Sequence, residues 1–280
     1  MPEGPTQQAD EPRFATRNGK TLLFKFRPYS TKTDRARVKE ILVDHRVYFS
    51  RPSQLNDPFD MSPRFRKTTR KELIDAAKRY LDRKFAPPHE REGTLRYLEE
   101  CDLNDHMQGA EKRSRKRLET GYTVFSLAGN RDHPMLWSHY AAGHTGLCIH
   151  FRADEGSLMG GALEVTYDRL RPTLPFDLSE LADIGVFTRL LLQKGEFWAY
   201  EDEYRWANYP TTDWTGIPIE FHGQHARFRP RELSGITLGA RISDVNRKKL
   251  LRIAESHDPP LPVWVAVETD TFDFNFDRVV

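Results

Sequence analysis

The first apolar run is Leu22, Leu23, Phe24 and Phe26, which ends at Arg27-Pro28 and predicts a short strand. Val38, Ile41, Leu42 and His45 then recur along one helical face, with Thr33 as the expected N-cap of a helix reaching His45. Val47–Ser50 predicts a second strand, broken by Arg51-Pro52-Ser53. Thr69-Arg70-Lys71-Glu72 is a capping box, in which the Thr hydroxyl and the Glu carboxylate each satisfy an orphan backbone N–H. Leu73, Ile74, Ala77, Tyr80 and Leu81 carry that helix forward until Pro87-Pro88 stops it, and a second helix is expected from Glu92 to Cys101.

From Tyr122 the pattern turns β-rich. Strands are expected at Tyr122–Leu127, Leu147–Phe151, Leu163–Tyr167, Glu203–Tyr209, Gly235–Gly239 and, as the last long strand, Pro262–Glu268. A helix is expected from Leu178 to Lys194 with Gly195 as C-cap, and another from a Ser243 cap to Glu255. Asp270, Asp273 and Asp277 alternate with Phe272, Phe274 and Phe276 in a tail expected to lie along the body. These elements predict an α+β fold: a mixed, twisted central β-sheet with flanking helices and a basic helical insertion at about 64–120. One domain is expected over 21–280, after a disordered leader at 1–20.

Composition narrows the class. With 38% apolar and 11% aromatic residues the chain can build a core. Its 43 Lys and Arg nearly balance 41 Asp and Glu, which argues against a globally basic nucleic-acid binder. The charge is uneven, however: residues 64–84 hold nine Lys or Arg against three acids, and Arg113, Arg115, Lys116 and Arg117 form a second cluster. Cys101 and Cys148 are the two cysteines, too few for a disulfide framework and suited to a reducing compartment. The first residues lack the apolar stretch of a signal peptide, and no run is long enough to span a bilayer, so a cytoplasmic address with no membrane partner is expected.

Three polar motifs could carry chemistry. Leu55-Asn56-Asp57-Pro58-Phe59-Asp60 follows a strand and is strong turn chemistry, with a ligand contact by Asn56 or Asp57 as the alternative. Pro134 to Gly146 packs Trp137, His139, Tyr140 and His144 onto and beyond a short helix. Those rings serve either as core anchors or as a platform for a planar ligand, with His139 or Tyr140 bonding it. His139 and His144 are five residues apart, do not share a helical face, and have no nearby Cys, so no metal site is expected. In the third motif, Lys194 to Arg205, a strand would turn Glu201, Glu203 and Arg205 to one face. Paired carboxylates repel unless Arg205 or a ligand cation lies between them, and such crowding favours catalytic or binding use. A solvated ladder is the alternative.

Taken together, Phe24-Lys25-Phe26-Arg27, Phe49-Ser50, Asn56-Asp57-Pro58-Phe59-Asp60, Trp137-Ser138-His139-Tyr140 with Gly146, and Trp198 through Glu201, Glu203 and Arg205 resemble one bacterial family, domain of unknown function 2971. The likeness covers roughly residues 22–275 and keeps the motif order. Leu55 and Asp60 depart from that family's Phe and Glu. No reaction comes with this resemblance. The chain also resembles the ADP-ribosyltransferases, split-sheet α+β enzymes that use NAD as substrate. That resemblance implies Glu203 or Glu201 as the late catalytic Glu, bonding a ribose hydroxyl and stabilising an oxocarbenium-like transition state. It implies Ser126 or Tyr140 at the central position, Arg27 holding the pyrophosphate, Tyr140 or Trp137 stacked on the nicotinamide, and Asn56, Asp57, His139 and Arg205 as further contacts to NAD. The superfamily's Ser-Thr-Ser is missing here. A protein, a nucleic acid or a small molecule would fit as acceptor, and toxin, phage-defence effector and housekeeping enzyme all fit as roles. Rival readings are a metal-dependent nuclease built on Asp57, Asp60, Glu201, Glu203 and His139, and a non-catalytic nucleic-acid binder using the basic helices.

Overall fold

Alternation along Leu22–Arg27 (β1) sends Leu23 to one face of a sheet and Phe24 and Phe26 to the other, and each face has its own apolar cover. The computed structural model describes residues 13–174, 190–208 and 220–280. After β1 come α1 (Lys32–Leu42), β2 (Arg46–Tyr48), β3 (Arg64–Phe65), α2 (Arg70–Arg83), α3 (Pro88–Glu100) and α4 (Leu103–Gly121). Next are β4 (Thr123–Ala128), α5 (Pro134–Tyr140), β5 (Leu147–Arg152), β6 (Leu163–Glu164), β7 (Thr166–Asp168), β8 (Thr173–Leu174) and β9 (Gln193–Gly195). The chain closes with β10 (Glu203–Asn208), β11 (Phe221–His222), β12 (His225–Arg227), β13 (Leu233–Leu238), α6 (Asp244–Glu255), β14 (Val263–Glu268) and β15 (Phe274–Arg278).

The described residues cluster into two units. The smaller draws on 51–122 and 166–195, the larger on 12–50, 123–165 and 196–280. In the smaller unit α2, α3 and α4 make the expected helical insertion, beside short parallel pairs β3–β8 and β7–β9.

The larger unit holds a mixed eight-stranded sheet in the order β15-β14-β13-β5-β1-β4-β10-β6. Its pairs are antiparallel except β13 with β14. The fold is α+β. Val38, Ile41 and Leu42 of α1 and Leu250 and Ala254 of α6 cover the face that carries Leu23, Phe125, Ile149 and Tyr204. Leu136 and Trp137 of α5 cover the opposite face over Phe26, Ala128 and Cys148. Strand β1 pairs with β5 through all six of its residues but shares one registered pair, Phe24 with Ala128, with β4. Past that pair the Lys25 ammonium donates to the Ser126 carbonyl, and Ser50 exchanges two backbone bonds with Val124 at 2.8 and 2.9 Å. The two strands therefore part in the middle of the sheet.

Several expectations need correction. Thr31, not Thr33, caps α1, because its hydroxyl accepts from the Asp34 N–H and the Asp34 carboxylate accepts from the Thr31 N–H. That helix ends at Leu42, and His45 lies beyond it with φ +50°. Helix α3 begins at Pro88, a residue favoured in a first helical turn, where its missing N–H costs nothing. The basic cluster at 113–117 sits inside helix α4, which falls within the helical insertion expected at about 64–120 but has its cap, Asp102, well upstream of the cluster. Most of the helix expected at 178–194 lies outside the described residues, but Lys194 and Gly195 belong to β9, so Gly195 is not a helix cap. The tail is a true strand: β15 pairs with β14 from Glu268–Phe274 to Trp264–Arg278.

Candidate functional site

The three strand-borne positions expected to form one site do not share a face. Glu203 and Arg205 stand on β10 in register with Ala128 and Ser126, on the α5 side of the sheet. Arg27 sits at the end of β1 on the face of Leu23, where its charged neighbours are Arg37 and Glu40 of α1. Burial, with the Arg37 charge next, lowers its pKa to about 10, and Glu40 opposes the shift. Its Nε is buried with no partner among the described residues. Arg27 is thus placed to interact with α1, across the sheet from Glu203.

Glu203 and Arg205 form a bidentate ion pair, Nε to Oε1 at 2.7 Å and Nη2 to Oε2 at 3.1 Å. Both are buried, with 4% and 0% of their surfaces exposed. A carboxylate so neutralised and enclosed is a structural group first. Glu201 is not on that strand. It ends a tight helical turn over Glu196–Glu201, and Asp202 follows with φ +44°, which swings Glu201 out of line with Glu203.

That turn lies against α5. The Tyr140 hydroxyl donates to Glu201 Oε1 at 2.6 Å, and His139 Nδ1 and the Tyr200 hydroxyl share a hydrogen bond at 2.9 Å. His133 stacks on Tyr200 with ring centroids 5.1 Å apart, and the Trp198 ring stands edge-on to His139 at 6.2 Å. His139 is exposed, while Tyr140, Trp198 and Tyr200 are half-buried, so these rings line an accessible surface around a buried carboxylate. Trp137 plays a different part. It is fully buried, meets Phe26 edge-to-face at 5.0 Å, and donates its indole N–H to the Arg131 carbonyl at 2.8 Å. It anchors α5 and offers no face to a ligand. Ser138 and His144 close the turn after the helix through a 3.1 Å bond.

A clamp fixes the turn. The Gly129 N–H donates to the Asp202 carbonyl at 2.7 Å, and Lys20 bridges the Asp202 carboxylate at 2.7 Å and the Gly129 carbonyl at 3.1 Å. A Cβ on Gly129 would stand 2.6 Å from Asp202 Cγ and 2.8 Å from Lys20 Nζ, so a larger residue there would push those two side-chain ends aside.

Asn56 and Asp57 lie in the smaller unit, at a pocket of about 390 Å³ also lined by Asp60, Arg115 and Glu119. Asp57 accepts from the Phe59 N–H at 2.9 Å, the side-chain turn that the Asn-Asp-Pro sequence predicts. Asp60 and Lys194 form a buried pair at 3.9 Å. The basic helices spend much of their charge internally. Arg70 donates to the carbonyls of Leu98, Glu99 and Cys101, and Lys84, Arg91, Arg96 and Arg115 pair with Glu90, Asp82, Glu92 and Glu111.

Sequence reasoning missed Lys20, Gly129, Asn130 and His133. A Gly-Asn pair directly after a strand was the available signal. Among the described residues no group of His, Cys, Asp and Glu is arranged to hold a metal ion, and no helix is long and apolar enough to cross a membrane. Comparison with family models, curated proteins and solved structures finds no match to this chain.

Proposed function

We propose that the protein is an ADP-ribosyltransferase-like enzyme that takes NAD as substrate, with Glu201 as its central carboxylate and an unidentified acceptor, protein or nucleic acid. The observation that carries this reading is the Tyr140–Glu201 hydrogen bond inside an aromatic surround. An ionised carboxylate is the kind of acceptor that a ribose hydroxyl requires, and the Tyr140 hydroxyl orients it. In the reaction the bond from ribose C1′ to the nicotinamide nitrogen breaks, and its electron pair leaves with neutral nicotinamide. Glu201 stabilises the positive charge that develops on the ribose. The acceptor's nucleophile then bonds C1′ and releases its proton to solvent. Tyr140 holds the carboxylate in place, and Tyr200, Trp198 and His139 present rings to the departing heterocycle.

Two further features support the reading: the parting of β1 and β4, as a split sheet requires, and the resemblance of the motifs. Membership of the bacterial family of unassigned function belongs to the same proposal. The roles first implied for Arg27 and Trp137 are not part of it, because one faces α1 and the other is enclosed. The test is calorimetric titration with NAD alongside release of free nicotinamide, with and without cell lysate as acceptor source. Binding with release is expected. Neither, in both conditions, would remove the reading.

A further inference from the structure

We propose that Asn130 recognises the substrate's carboxamide, its Oδ1 accepting an amide N–H from the nicotinamide; this rests on the NAD reading above. The Asn130 Oδ1 atom is buried and meets no hydrogen-bond partner among the described residues. A buried acceptor left unpaired costs about 1–3 kcal/mol, so a fold that retains one gains from a partner that arrives from outside.

The position of Asn130 ties that acceptor to the site. The β4–β10 ladder pairs Ala128 with Glu203, and the 2.7 Å bond from Gly129 N–H to the Asp202 carbonyl extends it by one rung. Asn130 follows Gly129 and Glu201 precedes Asp202, so each lies one residue from that rung. On its other flank the Arg131 carbonyl receives the Trp137 indole N–H at 2.8 Å. The backbone of Asn130 is thus pinned on one side to the turn that carries Glu201. On the other side it is pinned to the helix that carries His139 and Tyr140.

The chemistry selects the ligand group. A neutral carbonyl acceptor turned inward matches an amide N–H and has no proton to offer a carboxylate. A site built to accept from an N–H rejects an analogue lacking it, because the acceptor is then left unpaired. NAD should therefore be preferred over its deamidated analogue, in which a carboxylate replaces the carboxamide.

Calorimetry with NAD and with that analogue, on wild type, Asn130→Ala and Asn130→Asp, tests this, with a thermal melt of each variant to confirm folding. Wild type is expected to bind NAD about tenfold or more tightly than the analogue. Asn130→Ala should lose that margin by weakening NAD alone, while Asn130→Asp, which keeps an acceptor, should retain the preference. If wild type prefers NAD and Asn130→Ala leaves both affinities unchanged, or weakens both equally, the assignment to the carboxamide is wrong while the NAD reading stands. If folded wild type binds neither compound, the NAD reading itself fails and takes this inference with it.

Discussion

The Tyr140 phenol donates a 2.6 Å hydrogen bond to Glu201 Oε1 across 61 residues of chain, joining the helix after β4 to the turn before β10. A hydrogen bond to an ionised carboxylate contributes about 1.5–3 kcal/mol. Tyr140→Phe is therefore expected to lower nicotinamide release by about tenfold to a hundredfold. The bond is also lost from a buried carboxylate in the folded state, so the melting temperature should fall by a few degrees, and release is compared where both proteins are fully folded. Steady-state kinetics beside a thermal melt separates the two effects.

Glu203 and Arg205 predict the opposite pattern. Removing one partner of a buried ion pair costs about 3–5 kcal/mol, because the other charge is left enclosed. Arg205→Met should show a loss of that size in urea unfolding. The double variant Glu203→Leu with Arg205→Met should recover much of it. A double variant as unstable as the single one would mean that the pair is not what the burial serves.

Gly129→Ala should cost about 1 kcal/mol or less, since its Cβ would push aside the part-exposed ends of Asp202 and Lys20 and loosen their ion pair. Adding Asp202→Ala removes the carboxylate that is struck and should restore part of the stability. Activity should stay low in the double variant, because Asp202 and Lys20 set the turn that carries Glu201.

The larger part of the fold was legible because its signals are local. The alternation in β1, the Thr69 capping box and the Ser243 cap all follow from side-chain period or from one hydrogen bond. The site was legible only in part. Tyr140, His139 and Glu201 stand in motifs whose density of rings and acids is visible in the sequence, and the structure brings them together. The shared face expected for Glu201 and Glu203 failed at one residue. Asp202 adopts φ +44°, a conformation that Lys20 and Gly129 stabilise from 182 and 73 positions away, and no local pattern encodes that. Arg27 failed for a related reason: its place at a strand end was legible, but which face it took depended on where α1 packs.

His150 gives a pH prediction. It is buried against Trp264 and bonded to Thr237 Oγ1 at 2.8 Å, and burial, with the Arg131 charge next, lowers its pKa to about 3. In the unfolded chain it takes a proton near its ordinary value of 6.5, so between those values the unfolded state binds more protons than the folded one. Stability is then fully present above the unfolded pKa and falls as pH drops toward the folded one. Between pH 7 and 5 this residue should account for a loss of about 2 kcal/mol. Urea unfolding of wild type and His150→Gln at both pH values checks it: the variant should lose less on acidification, and an equal loss would contradict the assignment.

The most direct test of the central claim compares nicotinamide release from NAD by wild type, Glu201→Gln and Glu203→Gln, each with a melting curve. The account predicts release by wild type and loss of release in Glu201→Gln at nearly unchanged melting temperature. For Glu203→Gln it predicts a variant whose first defect is stability. Full release by Glu201→Gln, or loss confined to a well-folded Glu203→Gln, would contradict it.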